Sequence, residues 1–194
     1  MFDRVSEKIT ENIVKSGTVV SDEKELYLFG IQQGLTILLN IGTTVAVSLL
    51  LGVFWQIILF TVAYMALRSF AGGYHASTPQ RCYVLSTLIT IIVSLLIKYV
   101  FLHIFICIGL LIFAGTIIIV FSPIGNENKS LDDLEKTVYK RKAVIICIIE
   151  ILTAVVFLCL NLLSATVCLM WTLVSVSIMM IVSAFKGKIL IAKK

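Results

Sequence analysis

His75 and Cys82 stand seven residues apart in the stretch RSFAGGYHASTPQRC, from Arg68 to Cys82. A thiol within reach of an imidazole is what covalent acyl transfer needs: the thiolate attacks a carbonyl carbon and the imidazole moves the proton. On one straight helix, a spacing of seven puts both side chains on one face but leaves about 10 Å of rise between them, too far for a hydrogen bond. A turn must therefore intervene. Gly72 and Gly73 offer the backbone freedom to make it, and Ser77, Thr78 and Pro79 are the residue types that close one segment and open a helix. Either Thr78 is the N-cap with Pro79 at the first helical position, or Ser77 caps with Gln80 as its capping-box partner. Both arrangements put Cys82 in or near the first helical turn, where the positive end of the helix dipole and Arg81 suit an anionic sulfur, the nucleophilic form. Backbone amides near Gly72, Gly73 or the new helix start are available to hold an oxyanion. The third, orienting group is not local: Gln80, Asn126, Asn128 and a carboxylate from the other polar loop all fit. A metal site is not expected, because two ligands are too few for zinc and the other cysteines and His103 fall in other segments. No cofactor is expected either.

The elements that position this pair are membrane helices. Of 194 residues, 59% are hydrophobic and 14% charged, and the mean hydropathy is +1.06. A soluble domain of that length has no way to hide so much apolar surface. The apolar runs separate at charges, glycines and prolines into about six spans, judged against the roughly 20 residues that cross a bilayer. They run from Leu35 to Gly52, Val53 to Ser69, Tyr83 to Val100, Ile104 to Phe121, Ala143 to Leu160 and Leu162 to Phe185. The break at Gly52 is weak. A longer first helix is open, because Ser21, Asp22, Glu23 and Glu25 supply a cap and first-turn acids ahead of Leu26 to Phe29. A four-span chain with re-entrant segments is the alternative. The expected fold is all-α, one polytopic membrane domain over 1–194 with polar loops at 68–82 and 122–142.

Ahead of the spans, within residues 1–20, Phe2, Val5, Ile9 and Ile13 recur at helical spacing among charged residues, which describes an amphipathic helix. It belongs either at the membrane surface or packed on the rest of the protein. The segment lacks the apolar core and cleavage site of a secretory signal, so the mature chain is expected to begin near Met1. With an even number of spans, both termini and both polar loops share a side that holds all but Lys98 of the 16 Lys and Arg residues. Positive residues favour the cytoplasmic side, so that side is expected to be cytoplasmic. The lipid bilayer is one expected partner; nucleic acid is not. Gly30 and Gly34 form a small-xxx-small pair suited to close helix contact, which makes a homodimer reasonable.

Cys107, Cys147, Cys159 and Cys168 lie inside apolar runs and read as small hydrophobic filler. Glu150 is the one carboxylate deep in a span. An ionisable group at such depth is either functional or a satisfied helix contact, with Gln32, Gln33, Asn40 and Lys98 as candidate partners.

The stretch from Arg68 to Cys82, followed by a hydrophobic helix, resembles the signature of the accessory gene regulator B (AgrB) family, membrane peptidases of bacterial quorum sensing. The likeness covers essentially the whole chain: its length, its apolar runs, the glycine pair before His75, the cysteine at plus seven, and the later loop SPIGNENKSL from Ser122 to Leu131. The resemblance implies Cys82 as nucleophile and His75 as its base, with Arg68 and Gly73 matching other positions the family relies on. It also implies a bacterial cell-membrane location and a small AgrD-like precursor peptide, cut at the inner face with its amino-terminal part left as a thioester on Cys82. A cysteine or serine of the peptide then closes the ring to a thiolactone or lactone. Asn128 and Lys129, with Asn126 and Glu127, are candidate contacts to the peptide. Lys136, Lys140, Arg141 and Lys142 either attract its acidic tail or only obey the positive-inside rule. Two other classes compete with the peptidase: a small multi-pass transporter that uses Glu150 and the intramembrane polar residues, and a non-catalytic scaffold.

Overall fold

Backbone polar groups have no water to bond in hydrocarbon, so apolar segments of this length satisfy them internally, as helices. A computed structural model describes residues 3–15, 24–73, 78–124 and 132–191, and among these residues there are seven helices and no strand. They are α1 (Asp3–Lys15), α2 (Lys24–Leu51), α3 (Phe54–Ala71), α4 (Pro79–Tyr99), α5 (Ile104–Phe121), α6 (Asp133–Cys159) and α7 (Leu163–Ile191). Six of them, α2 to α7, are long and apolar enough to cross a bilayer. The protein is an all-α, multi-pass membrane protein.

The longer first span is the one that forms: α2 begins at Lys24, directly after the acidic stretch, and runs to Leu51, with α3 starting beyond Gly52. The fifth span also begins earlier than its apolar run. α6 opens at Asp133, where Glu135 Oε2 accepts the backbone N–H of Asp132 at 3.4 Å. That hydrogen bond satisfies a donor at a helix start. As a result, Lys136, Lys140, Arg141 and Lys142 ride on the opening turns of a helix, and only the first half of 122–142 lies outside it.

The chain divides into two compact units. The first comprises residues 1–50 and 76–91, and so holds α1, α2 and the opening turns of α4. In α1, Ser6 and Thr10 are fully buried while Val5 and Ile9 are exposed, so the apolar side of this helix faces outward. Gly30 and Gly34 on α2 have no other atoms within 4 Å of where a Cβ would stand.

The second unit comprises residues 51–75 and 92–194. Here α7 packs on α3, α5 and α6, and 61% of its span is buried, against at most 28% for any other span. The core is lined with small side chains, Ala114, Ala143, Cys147 and Ala154 among them, around Leu67, Ile118, Leu173 and Met180. Small residues let helices approach closely where lipid offers no hydrophobic drive. Cys147 Sγ reaches the Gly115 carbonyl oxygen at 4.0 Å, joining α6 to α5, and Thr166 Oγ1 donates to the Ala154 carbonyl at 3.3 Å, joining α7 to α6. Of the four cysteines read as filler, Cys107, Cys147 and Cys168 are buried, whereas Cys159 at the end of α6 is exposed.

Candidate active site

The helix expected to break between the two halves of the polar stretch does break: α3 ends at Ala71 and α4 begins at Pro79. The two ends are built differently.

At the α3 end, Gly72 has φ 77° and donates its N–H to the Arg68 carbonyl at 3.2 Å. Gly73 follows at φ 120°. Both lie in the left-handed half of backbone space, where glycine is at ease and other residues are strained. The turn does not hang free. Ile124 donates its backbone N–H to the Ala71 carbonyl at 3.1 Å, and Gly72 and Ile124 pair as a single parallel bridge. A Cβ on Gly72 would collide with the Ile124 carbonyl oxygen, whereas one on Gly73 would sit 3.4 Å from Met179 backbone atoms, an ordinary contact. Gly72 is therefore required by both conformation and space, Gly73 by conformation alone. Phe70 also meets the Tyr139 ring at 5.8 Å, with the Lys142 ammonium 5.0 Å over its own ring. The end of α3 is thus held by the segment after α5, by α6 and by α7.

Arg68 lies one turn before Gly72. Its guanidinium donates to the Tyr64 hydroxyl at 3.1 Å and stands 5.6 Å over that ring, which stacks in turn on Phe60.

At the α4 start, Thr78 Oγ1 accepts the Arg81 N–H at 3.3 Å, and the Thr78 carbonyl accepts the Cys82 N–H at 3.0 Å. Of the two caps the sequence allowed, Thr78 with Pro79 at the first helical position is the one formed. Cys82 sits half-buried on this opening turn, and Gln80 and Arg81 are exposed beside it. One residue on, the Tyr83 hydroxyl meets Thr43 Oγ1 of α2 at 3.0 Å. The Thr43 hydroxyl already donates to the Leu39 carbonyl at 2.8 Å, so Tyr83 is the donor. Thr43 and Tyr83 went unnoticed in the sequence, where the only sign was a hydroxyl pair at 43 and 44 within an apolar run.

Glu150 takes no part in either end. It lies within α6, in the core of the second unit, 6% exposed and with no hydrogen-bond partner for either oxygen. None of Gln32, Gln33, Asn40 and Lys98 holds it. His75, Ser77, Asn126, Glu127, Asn128 and Lys129 lie outside the described residues. No group of three or more His, Cys, Asp and Glu that would suit a metal occurs among the described residues. A shallow, open groove is lined by Ile92, Leu95, Leu96, Tyr99 and Val100, near the far end of α4 from Cys82.

Fold and site together define a class: a six-span helical membrane protein with a cysteine on a capped helix start, preceded by a pinned glycine turn. The family described as Accessory gene regulator B matches residues 6–183, and the chain belongs to that family. Membership places it in the processing of quorum-sensing peptides, with an AgrD-like propeptide as partner. An AgrB-like protein of Clostridium perfringens strain 13 is 26% identical over 165 residues, covering 81% of this chain and 75% of that protein. A second AgrB-like protein, from Clostridium perfringens strain SM101, is 25% identical over the same length and the same shares. No solved structure matches the chain.

Proposed function

We propose that the chain is a cysteine endopeptidase that cuts an AgrD-like precursor at the cytoplasmic membrane face and helps close the product into a ring. The observation that carries this reading is the position of Cys82, half-buried on the first turn of a helix capped by Thr78, in a chain of a peptide-processing family. A sulfur there lies at the positive end of the helix dipole, which suits the anionic nucleophile.

In the proposed reaction the Cys82 thiolate adds to the scissile carbonyl carbon. The tetrahedral intermediate collapses with loss of the C–N bond, and the proton that His75 took from the thiol passes to the leaving amine. The amino-terminal part of the precursor remains as a thioester on Cys82. A thiol or hydroxyl of the same peptide gives up its proton, attacks the thioester carbonyl and releases the Cys82 thiol, leaving a thiolactone or lactone. Arg68, Gln80, Arg81 and the loop residues Ser77, Asn128 and Lys129 serve the reaction as substrate contacts. Both termini face the cytoplasm, and an uncovered α2 face with Gly30 and Gly34 serves a homodimer.

The test is trapping. Full-length protein incubated with propeptide should give an acyl adduct on Cys82 by mass spectrometry, and Cys82→Ala and His75→Ala should abolish cleavage with membrane insertion intact. An adduct on another cysteine, or cleavage by Cys82→Ala, overturns the reading.

Glu150 favours a second reading as a transporter, since a carboxylate with no partner in a bundle core is costly and marks transport pathways in other membrane proteins. That reading requires Glu150→Gln to abolish peptide movement across vesicles while Cys82→Ala leaves it unchanged. The peptidase reading requires Glu150→Gln to keep cleaving.

A further inference from the structure

The segment Ser122 to Ile124 is used by neither reading, yet it makes the one backbone pairing outside the helices that joins two polar connections of the chain among the described residues. It pairs with Ala71 and Gly72, three or four residues before His75 in the sequence. We infer that this segment is a positioning element for the His75 end of the catalytic pair, acting through the backbone of Ile124; the inference rests on the peptidase reading.

A glycine turn at the end of a helix is the loosest kind of backbone, because glycine carries the largest conformational freedom. Left to itself, the turn after α3 would scatter the chain that follows. Three features remove that freedom. The Ile124 N–H fixes the Ala71 carbonyl at 3.1 Å. The Ile124 carbonyl oxygen fills the space beside Gly72, where a Cβ would otherwise stand. Met179 backs Gly73 at contact distance. Each contact is made by backbone atoms or to them, so the device specifies a path of the main chain rather than a side-chain pocket. Effective catalysis by an imidazole depends on such placement, since a shift of about 1 Å can cost about a hundredfold in rate.

Two substitutions attack the pairing from opposite sides. Ile124→Pro removes the N–H donor, and Gly72→Ala pushes a methyl group against the Ile124 carbonyl. Each should lower the single-turnover rate of propeptide cleavage by about a hundredfold, with the KM for propeptide within about twofold and alkylation of Cys82 by a neutral thiol reagent unchanged. Combined, they should cost no more than the worse single change, because both break one contact. Ile124→Ala keeps the amide and the carbonyl and should cleave at the wild-type rate. Losses that multiply, a wild-type rate in Ile124→Pro, or an equal loss in Ile124→Ala would overturn the inference. If Ile124→Pro does not insert, deuterium exchange in the unaltered protein decides: the Ile124 amide should be protected, and free exchange overturns the pairing. Cys82→Ala, run alongside, separates the two claims. Cleavage by that variant sinks the peptidase reading, while a silent Cys82→Ala beside a fully active Ile124→Pro sinks the positioning role alone.

Discussion

The two helix ends that flank His75 solve the same problem in opposite ways. The end of α3 is held by atoms distant in the chain: the Ile124 backbone, the Met179 backbone and the ring of Tyr139. The start of α4 is held by its own residues, with the Thr78 hydroxyl on the Arg81 amide, and by the Tyr83 hydroxyl reaching out to Thr43. The difference teaches where the rigidity comes from. A helix start is cheap to fix, because a short polar side chain satisfies a free amide nearby. A left-handed exit from a helix has no such local remedy beyond glycine itself, so its direction is set by tertiary contacts.

Stability measurements in detergent can break that comparison. The largest loss should come from Gly72→Ala, where a Cβ on backbone at φ 77° and ψ −153° costs about 1–3 kcal/mol before the collision with Ile124 is added. Unfolding followed by circular dichroism should show a total near or above 2 kcal/mol. A loss below that of Thr78→Ala would mean the exit is not pinned. Thr78→Ala removes the cap and should cost about 1 kcal/mol; the same loss in Thr78→Ser, which keeps a hydroxyl, would show that capping is not the cause. Tyr83→Phe should cost the least, about 0.5–1 kcal/mol for one half-buried hydrogen bond. Its sharper use is through Thr43→Val, because a shared bond makes the two losses non-additive. Additive losses would remove the link between α2 and α4.

Much of this was legible in the residues, and the boundary of legibility is physical. The spans, the break between Ala71 and Pro79, and a cap at Thr78 follow from neighbours in sequence: apolar runs, a glycine pair, a hydroxyl before a proline. The early start of α6 was equally local, since Asp132 and Glu135 have capping-box spacing, but the charges around them disguised a helix as a loop. Nothing local announces Ile124. It is an apolar residue after a proline, and only the folded chain brings its backbone to Gly72. Glu150 marks the other limit: its place in a span was plain, its lack of a partner was not, because partners are a property of the whole bundle. The roles proposed for His75 and Cys82 rest on residue type, spacing and family likeness, and His75 lies outside the described residues.

The burial of α7 has a consequence for how the protein comes into being. α3, α5 and α6 all lean on α7, which follows them in chain order, so each enters the bilayer before the helix that completes its core face. Faces built from alanine, glycine and cysteine tolerate that wait, because lipid tails are no worse a neighbour than another apolar helix. Met179, which backs Gly73, lies well into α7, so a chain halted before that helix has no seat for the turn. During synthesis, the turn at Gly72 and Gly73 gains its full set of contacts only once α7 is in place.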